Sequence, residues 1–381
     1  MKNFDLSKIR EKNSFIILNH ILNNQLSKAE ISRLTGLTKT TVGDITNKMI
    51  NLGIITEKET VVGNIGRPAK KLGMKADWTN IIGLSIERDR LNVVLINSEK
   101  EVLYKKKFLN NKPFETFETL FDKITLLLDN TFNYAIKNDL KIDSIGVGAP
   151  GPFDDYGFIK NVPNFPACSN IPIKKILEER YNLDVWLGND ADMAALGERY
   201  FGYGKEFDSF IYVFLDKGIG AGIVKDLELY KGETGYAGEL GQFIIHMEDK
   251  ITFLEKEWSI DSILSKMKKY KLNTVTCIQD LKRELRNKNK FAWLLIEEAT
   301  RYIGGSILSL MYAMGISNII VGGELSKLGK YLIKGLREVI EENIIHEHPI
   351  NVVLTNLDDY SISLGAAMYT LVNYTLEKMK E

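Results

Sequence analysis

The feature that most constrains the fold is a repeated unit in which an apolar strand ends in a glycine-containing loop that leads into a helix. It occurs as DVWLGNDADMAALGERY (184–200) and as NIIVGGELSKLGKYLIKGL (318–336), and KIDSIGVGAPGP (141–152) contains the strand and the loop. Strands that alternate with helices predict an α/β fold with a largely parallel sheet, whose ligand sites lie at the strand ends. One hairpin is also predicted, in SFIYVFLDKGIGAGIV (209–224).

The first seventy-odd residues instead show the spacing of apolar residues that is typical of helices. Apolar residues spaced three and four apart predict a first helix. A second helix is predicted at Ser27, which forms a capping box with Glu30. A third is predicted from an N-cap at Thr38 to Gly53, and a two-stranded ribbon with a glycine-rich tip follows it. Three helices and a ribbon, with a tight turn before the third helix, predict a winged helix-turn-helix over residues 1–75.

The same segment is positively charged. Residues 1–75 hold 13 lysines and arginines against six acidic residues, whereas the whole chain holds 50 of each. A basic head on an acidic body indicates a polyanionic partner, and in a helix-turn-helix the second helix of the pair lies in the DNA major groove. We predict contacts with double-stranded DNA from Thr38, Lys39, Thr40, Thr41, Asp44, Asn47, Lys48, Arg67, Lys70 and Lys71. The alternative is a solvated polar helix face and an ordinary hairpin turn.

Cysteine content and hydropathy indicate the compartment. Two cysteines, Cys168 and Cys277, exclude a disulfide framework and a multi-cysteine zinc site, and they fit a reducing compartment. The charged N-terminus lacks the apolar region of a signal peptide. Residues 302–323 are uncharged and long enough to cross a bilayer, but GISN (315–318) divides them into a helix and a β-branched strand. We therefore predict a cytoplasmic protein without a membrane span.

Six motifs follow one another after residue 140. They are GVGAPGPFDD, PNFPACSNIPI, GNDADMAALGE, DKGIGAGI, GYAGELG and IIVGGE. In this order they resemble the ROK family of sugar kinases and repressors over about residues 76–381, and the added head matches the family's repressor branch. The resemblance implies an actin-like fold of two α/β lobes. It also implies a sugar in the cleft, near residues 148–255, and a homodimer or homotetramer.

The resemblance also assigns residues to the sugar. Asn189 and Asp190 match the pair that holds sugar hydroxyls, the aspartate being the base in the kinases, and Glu239 matches a further hydroxyl acceptor. The full effector-binding set is Gly151, Asn164, Asn189, Asp190, Glu239, Gln242 and Glu255. Carboxylates and amides form fork-like hydrogen bonds to vicinal hydroxyls. However, Asn189 and Asp190 could only cap a helix, while Glu239 and Glu255 could be solvated surface acids.

Two departures from the family concern phosphoryl transfer. A family kinase opens its body with an Asp-x-Gly-Gly-Thr loop, whose backbone N–H groups approach ATP phosphates. This chain has Ser85-Ile86-Glu87-Arg88-Asp89-Arg90 there, and Asp216-Lys217-Gly218 where the later phosphate loop usually begins Gly-Thr-Gly. Gly322 and Gly323 match the adenosine region but equally suit a strand-to-helix turn. We therefore predict that the chain is not an enzyme, with no catalytic residue and no bound ATP.

A third departure concerns zinc. Family members have a histidine after Gly-Glu-x-Gly and then a cysteine-rich loop, which together supply one nitrogen and three thiolates. Here Gln242 stands at the histidine position, the segment after it has no cysteine, and His246 is a lone imidazole. No metal site is predicted. Packing, or ordering when ligand binds, must then hold the loop.

Together these features predict a DNA-binding transcriptional repressor of carbohydrate-utilisation genes, whose effector is a monosaccharide such as xylose or glucose. A sugar that prefers one arrangement of the lobes would change the spacing of the heads in a dimer and so compete with the operator. Two alternatives remain. One is an ATP-dependent sugar kinase with a regulatory head, and the other is a repressor controlled by a protein partner or a sugar phosphate. A sugar phosphate would require cationic residues, which are lacking among the matched pocket residues.

Overall fold

A computed structural model of the chain describes residues 6–58, 70–110, 112–151, 153, 157–159, 162, 165–270, 272–345 and 349–380. The chain divides into two compact units, and each is described by itself. Unit 1 consists of Met1–Gly188 and Ala366–Glu381, and unit 2 consists of Asn189–Gly365. The predicted domain limits, 1–75 and 76–381, stay a prediction, because unit 1 contains both the N-terminal helices and the first large sheet.

Unit 1 begins with three helices and a small antiparallel sheet of order β1-β3-β2. The elements are α1 (Leu6–Asn23), β1 (Leu26–Ser27), α2 (Lys28–Thr35), α3 (Lys39–Asn51), β2 (Ile55–Lys58) and β3 (Lys71–Met74). The capping box between Ser27 and Glu30 is present, and the Thr38 side chain accepts a hydrogen bond from the Thr41 backbone N–H. The predicted starts of the second and third helices are therefore confirmed. The ribbon tip, which contains Arg67, lies outside the described residues.

The large sheet of unit 1 has the strand order β6-β5-β4-β7-β8. Its strands are β4 (Asn80–Ile86), β5 (Arg90–Asn97), β6 (Val102–Leu109), β7 (Ile142–Ala149) and β8 (Asp184–Asn189). The unit also contains α4 (Phe117–Lys137), α5 (Ile173–Tyr181) and the end of α12 (Ser361–Lys378). All residues of β4 and β5 are buried. Helix α12 lies directly on β7, since a Cβ at Gly146 would be 2.2 Å from the Ala366 carbonyl oxygen.

Unit 2 contains a second five-stranded sheet, of order β11-β10-β9-β14-β15, and a separate hairpin. The sheet strands are β9 (Phe210–Leu215), β10 (Ile219–Lys225), β11 (Glu228–Leu229), β14 (Asn318–Gly322) and β15 (Asn351–Leu354), and the hairpin is β12 (Ile244–His246) with β13 (Ile251–Phe253). The helices are α6 (Asp190–Phe201), α7 (Leu254–Trp258), α8 (Ile260–Lys269), α9 (Ile278–Arg286), α10 (Lys290–Met314) and α11 (Lys330–Asn343).

The uncharged segment 302–323 folds as predicted. It forms the end of α10, a left-handed residue at Gly315 and strand β14. In the part of the chain that the structure describes, no helix is both long and apolar enough to cross a bilayer.

The prediction of a largely parallel sheet is wrong, because both large sheets are mixed. Strand β4 pairs parallel with β7 but antiparallel with β5, and β9 pairs parallel with β14 but antiparallel with β10. The antiparallel β9–β10 pair is the hairpin predicted in residues 209–224, so that prediction is confirmed. The physical reason lies in the connections. Only three residues join β4 to β5 and β9 to β10, whereas a parallel crossover needs a dozen or more residues.

Candidate functional site

The start of α6 carries the two polar residues with the strongest predicted role. Asn189 Oδ1 accepts a hydrogen bond from the Ala191 backbone N–H at 3.0 Å, and Asp190 Oδ1 accepts from the same N–H at 2.8 Å. Both residues are half-buried. They therefore do cap the helix. Because a cap engages one oxygen of a carboxylate, capping and ligand binding are compatible.

Two predicted segments of unit 2, the start of α6 and the loop that carries Glu239, both contact strand β10. A Cβ at Gly222 would lie 2.4 Å from the Ala191 carbonyl oxygen, so this glycine lets the start of α6 contact the strand. At Gly238, φ is +87° and a Cβ would lie 1.9 Å from the Ala221 carbonyl oxygen. The Ala221 N–H donates to the Gly238 carbonyl at 2.8 Å. The loop that carries Glu239 therefore lies on the same strand.

Glu255, in α7, reaches the first residue of β10. Its Oε2 accepts a hydrogen bond from the Ile219 backbone N–H at 2.8 Å, and a Cβ at Gly241 would lie 3.1 Å from that oxygen. Glu255 is half-buried and is thus not a solvated surface acid, whereas Glu239 and Gln242 are exposed. Four predicted effector residues of unit 2 therefore belong to segments that converge on the beginning of β10, and Gln242 ends the short turn after Glu239.

The acidic side chains around β10 influence one another. Glu239 is exposed when its whole surface is considered, but neighbouring atoms partly desolvate its carboxylate. This desolvation is the main cause of the raised pKa of Glu239, and the negative charge of Glu255 is the second. Burial raises the pKa of Asp192 to about 7. The positive charge of Lys231 lowers this pKa in part, whereas the negative charges of Asp190 and Glu239 raise it further. Asp192 and Lys231 were not predicted as site residues. Their electrostatic coupling indicates that they belong to the same acidic region.

We expect Asp192→Asn to remove a pH dependence of stability. The folded chain holds the Asp192 proton up to about pH 7, whereas the ordinary pKa of a free aspartate side chain is 3.8. The stabilisation by this group is complete below the lower value and is lost as the pH rises through the higher one. The loss is at most about 4 kcal/mol. Calorimetric thermal midpoints at pH 5 and pH 8 should differ less in the variant, which should be the more stable protein at pH 8.

A matched control for that change is Asp261→Asn, which alters an exposed acid in the first turn of α8. It should keep the pH dependence of the unchanged protein. Identical pH dependence in Asp192→Asn and the unchanged protein would mean that the carboxyl is ionised in the folded chain.

Two predicted effector residues, Gly151 and Asn164, are not among the residues grouped around β10. Gly151 follows β7 in unit 1 and is half-buried. Asn164 lies outside the described residues. The grouping around β10 therefore rests on residues of unit 2 alone.

The segment at the position of the first kinase phosphate loop is a turn whose flanking residues, Glu87 and Arg90, are buried. Arg90 Nε donates to Glu87 Oε2 at 2.7 Å, and each residue is 8% exposed. Asn92 Nδ2 donates to Ser85 Oγ at 3.1 Å and to Glu87 Oε1 at 3.3 Å. A buried carboxylate and its partners thus fill the place where glycines would leave room for phosphates.

A carboxylate also occupies the second phosphate-loop position. Asp216 is 5% exposed and accepts hydrogen bonds from the backbone N–H groups of Lys217, at 2.7 Å, and Glu324, at 2.9 Å. The N–H of Ile219, the first residue of β10, donates to Glu255. Backbone N–H groups are what a phosphate requires in such a loop. Here the N–H groups of Lys217 and Ile219, at the loop, and that of Glu324, after β14, already donate to carboxylates of the chain itself.

The residues around the β12–β13 hairpin do not fit the family's zinc site. Gln242 and His246 are exposed, Cys277 is exposed in unit 2, and Cys168 is buried in unit 1. Within the described ranges, no group of three or more histidine, cysteine, aspartate or glutamate side chains could hold a metal ion.

The residues predicted to contact DNA lie mainly on the solvent side of α3. Exposed positions are Thr38, Lys39, Thr40, Asp44, Asn47 and Lys70, and half-buried positions are Thr41, Lys48 and Lys71. A short turn joins α2 to α3. Gly36 there has φ +70°, and Ser32 Oγ donates to the Leu37 carbonyl at 2.7 Å.

Three of these side chains have partners inside unit 1. Asn47 Oδ1 accepts a hydrogen bond from Lys28 Nζ at 2.7 Å, and Lys70 Nζ lies 2.5 Å from a Glu57 carboxylate oxygen. Lys48 Nζ donates to the carbonyl of Met379, just after α12. The C-terminal helix therefore contacts the helix that is predicted to read DNA.

Comparison with known proteins gives one family. The family model described as "ROK family" matches residues 81–372. The xylose repressor of Caldicellulosiruptor bescii is 27% identical over 380 residues, which cover 94% of each chain. The glucokinase of Thermotoga maritima is 26% identical over 245 residues, which cover 58% of this chain and 77% of the glucokinase.

A solved structure extends the similarity to the fold. It is a ROK family transcriptional regulator described as a homolog of the E. coli MLC protein. The TM-score is 0.77 at 20% sequence identity, with 97% of both chains covered. At this identity the match shows the fold alone. The prediction of an α/β, actin-like fold of the ROK type is therefore confirmed.

Proposed function

Since this chain belongs to the ROK family, we propose that it is a sugar-responsive DNA-binding transcriptional regulator. It represses carbohydrate-utilisation genes and is modulated by a monosaccharide. The relative that matches 94% of its length is named a xylose repressor, and the matching glucokinase covers only 58% of it. The family model begins at residue 81, which leaves residues 1–80 for a separate DNA-binding head.

One observation carries the proposal. Hydrogen-bond acceptors remain gathered on β10, while the donors of the phosphate loops are engaged by the chain's own carboxylates, Asp216 and Glu255. A sugar needs acceptors for its hydroxyls, and a nucleotide needs donors for its phosphates. The site therefore suits binding of a sugar without phosphoryl transfer, and Asp190 serves as a binding carboxylate.

The charge of the site favours a neutral sugar over a sugar phosphate. Asp190, Asp192, Glu239 and Glu255 surround the beginning of β10, and Lys231 is the cation that acts on Asp192. Asp192 keeps its proton near neutral pH, but the carboxylates of Asp190, Glu239 and Glu255 outnumber the ammonium groups of Lys231 and of Lys217 in the turn before β10, and they therefore disfavour a phosphate ester. Xylose, glucose or a related monosaccharide is the proposed effector.

The N-terminal elements are proposed to form a winged helix-turn-helix. Helices α2 and α3 with the turn at Gly36 supply the helix pair, and β2 and β3 supply the sides of the wing. The start of α3 enters the major groove of an operator. A homodimer presents two such heads and a homotetramer four, and the sugar shifts the preferred head spacing with a coupling of about 1–3 kcal/mol.

Fluorescence anisotropy tests the whole proposal. DNA fragments are selected from a random pool by the protein itself, and a panel including D-xylose and D-glucose is titrated into the complex. One sugar should weaken binding by about fivefold to a hundredfold. Failure to select any sequence would refute the DNA-binding function. Selection without a response to any sugar would refute the effector assignment alone.

Phosphoryl transfer has its own prediction. Mg²⁺–ATP should neither shift the thermal midpoint nor give sugar-dependent ADP, because Glu87 and Asp216 place negative charge at both phosphate positions. ADP release is measured with the same sugar panel, and a sugar kinase assayed in parallel is the positive control. ADP that accumulates only when sugar is present would contradict the assignment as a non-enzyme.

A further inference from the structure

Glu257 is a buried acid that the proposed function does not use. It lies in α7, a helix of five residues, and it is 7% exposed. Leu254 and Trp258, at the two ends of the same helix, are 0% exposed. A buried carboxylate is costly unless partners compensate for its charge.

Its partners come from three other places in unit 2. Lys250 Nζ, from the turn of the β12–β13 hairpin, lies 2.9 Å from Glu257 Oε1, and Lys266 Nζ, from α8, lies 3.4 Å from Oε2. Thr252 Oγ1, in β13, donates to Oε1 at 3.3 Å. One carboxylate thus ties the hairpin and two helices together. Burial disfavours the charged form of Glu257, but Lys250 and Lys266 more than offset that effect and lower its pKa.

Lys266 is held at this position by further contacts. Its Nζ donates to the Glu257 backbone carbonyl at 3.0 Å and lies 3.5 Å from the centre of the Trp258 ring. That ring stacks on Tyr302 at a centroid distance of 5.5 Å. Lys266 therefore links the ionic cluster to the hydrophobic core, where a cation over an indole face is favourable.

The same short helix carries Glu255. Isolated helices of so few residues are unstable, so surrounding contacts must fix the position of α7. Glu255 Oε2 accepts a hydrogen bond from the Ile219 N–H at 2.8 Å, and the lack of side chains at Gly218 and Gly241 leaves room for that oxygen, since a Cβ at these positions would lie 3.4 and 3.1 Å from it. A displacement of α7 would therefore move the Glu255 carboxylate away from β10.

We propose that Glu257, with Lys250 and Lys266, forms a metal-free ionic clamp that positions Glu255 on β10. The effector part of this inference rests on the proposed function, but the positioning part does not. The clamp secures the segment in which the family's cysteine-rich zinc loop would stand, and the residues of this segment do not fit zinc. Glu257 is a positioning residue, since it acts through Glu255.

Hydrogen exchange of the full chain without sugar tests the positioning directly. Glu257→Gln keeps the shape of the side chain but removes its charge, so exchange in peptides covering Ile219 and the β12–β13 hairpin should become about tenfold faster. Glu338→Gln is the matched control, because Glu338 pairs with Lys334 at 3.5 Å on the exposed side of α11. Unchanged exchange at Ile219 in Glu257→Gln would overturn the proposal.

Two further measurements guard against a trivial loss of folding. Lys250→Met removes the more exposed lysine of the cluster, with its side chain 45% exposed, and should give a weaker change of the same kind that Lys250→Arg does not give. EDTA should leave the thermal midpoint of the unchanged protein where it is, and a clear drop would overturn the metal-free clamp.

D-xylose binding then tests the effector part. Where xylose raises the thermal midpoint of the unchanged protein, Glu257→Gln should weaken xylose binding about tenfold while DNA binding without sugar stays the same. A protein with no response to xylose or any other sugar would refute the proposed effector function, whereas the exchange at Ile219 would still decide the clamp.

Discussion

Asp190→Ala should leave DNA binding intact and greatly weaken the response to sugar. The unchanged protein releases its DNA fragment when the effector sugar is added, and the variant should need at least about a hundredfold more of that sugar. Anisotropy titrations of sugar into the preformed complex give this ratio directly.

The size of the effect follows from the chemistry of the carboxylate. A hydrogen bond to a charged group contributes about 1.5–3 kcal/mol, and two vicinal hydroxyls on one carboxylate make two such bonds. Loss of the helix cap costs less. Asn189 still accepts from the Ala191 N–H at 3.0 Å, so the stability of the variant should fall by only about 1 kcal/mol.

A second helix-start acid separates capping from binding. Asp280, in the first turn of α9, accepts hydrogen bonds from the Thr276 backbone N–H and side chain at 3.1 and 3.0 Å. Asp280→Ala should therefore lower stability yet respond normally to sugar. A normal sugar response in Asp190→Ala as well would remove Asp190 from the effector site.

Features that depend on neighbouring residues could be predicted from the sequence. The capping box joins Ser27 to Glu30, and the Thr38 cap reaches only to Thr41. The end of α10 is set by Gly315, which takes the left-handed φ of +65° that glycine favours. Each of these contacts spans a few residues, so the helix limits follow from local patterns alone.

Strand direction and the supports of the site depend on contacts between distant segments. The antiparallel β9–β10 hairpin was predicted from residues 209–224, but the repeated strand–loop–helix pattern did not predict that the three-residue turn after β4 forces antiparallel pairing with β5. Asp192 gains its raised pKa first from burial by the packed chain. Glu257 meets Lys266 only because α7 and α8 fold against each other. The sequence FLEKEWS offered two glutamates, and the resemblance selected Glu255.

Lys48, on the helix predicted to bind DNA, also has a partner in a distant segment that the sequence did not predict. Its place on the third helix predicted a contact with DNA, yet it donates to the carbonyl of Met379, which is 331 residues away in the chain. The end of α12 is also joined to α1, since Lys380 Nζ lies 2.9 Å from a Glu11 carboxylate oxygen. Lys48 is therefore a weaker choice than Lys39 for testing the operator contact.

Lys39→Glu should weaken DNA binding by about a hundredfold at 0.1 M salt. Lys39 is the first residue of α3 and is exposed. Each phosphate contact contributes a slope of about −0.9 to the dependence of log K on log salt, or nearly tenfold at this concentration. Reversal of the charge both removes one contact and repels the backbone, so its effect should be about twice as large on the logarithmic scale.

The change should not harm the fold, which makes a loss of binding easy to interpret. The N-terminus of a helix favours negative side chains, because its unpaired N–H groups carry partial positive charge. Glutamate at position 39 should thus leave the thermal midpoint of the protein unchanged or slightly higher. The variant should therefore lose DNA affinity without losing stability.

Salt dependence and a control variant complete the test. Lys39→Ala should reduce the salt slope by about one and weaken binding uniformly across DNA sequences. Lys334→Glu, on the exposed side of α11, changes the net charge by the same amount without touching the helix pair. Equal losses in Lys39→Glu and Lys334→Glu would mean that overall charge, and not the start of α3, determines DNA affinity. An affinity of Lys39→Glu within about twofold of the unchanged protein would place Lys39 outside the operator interface.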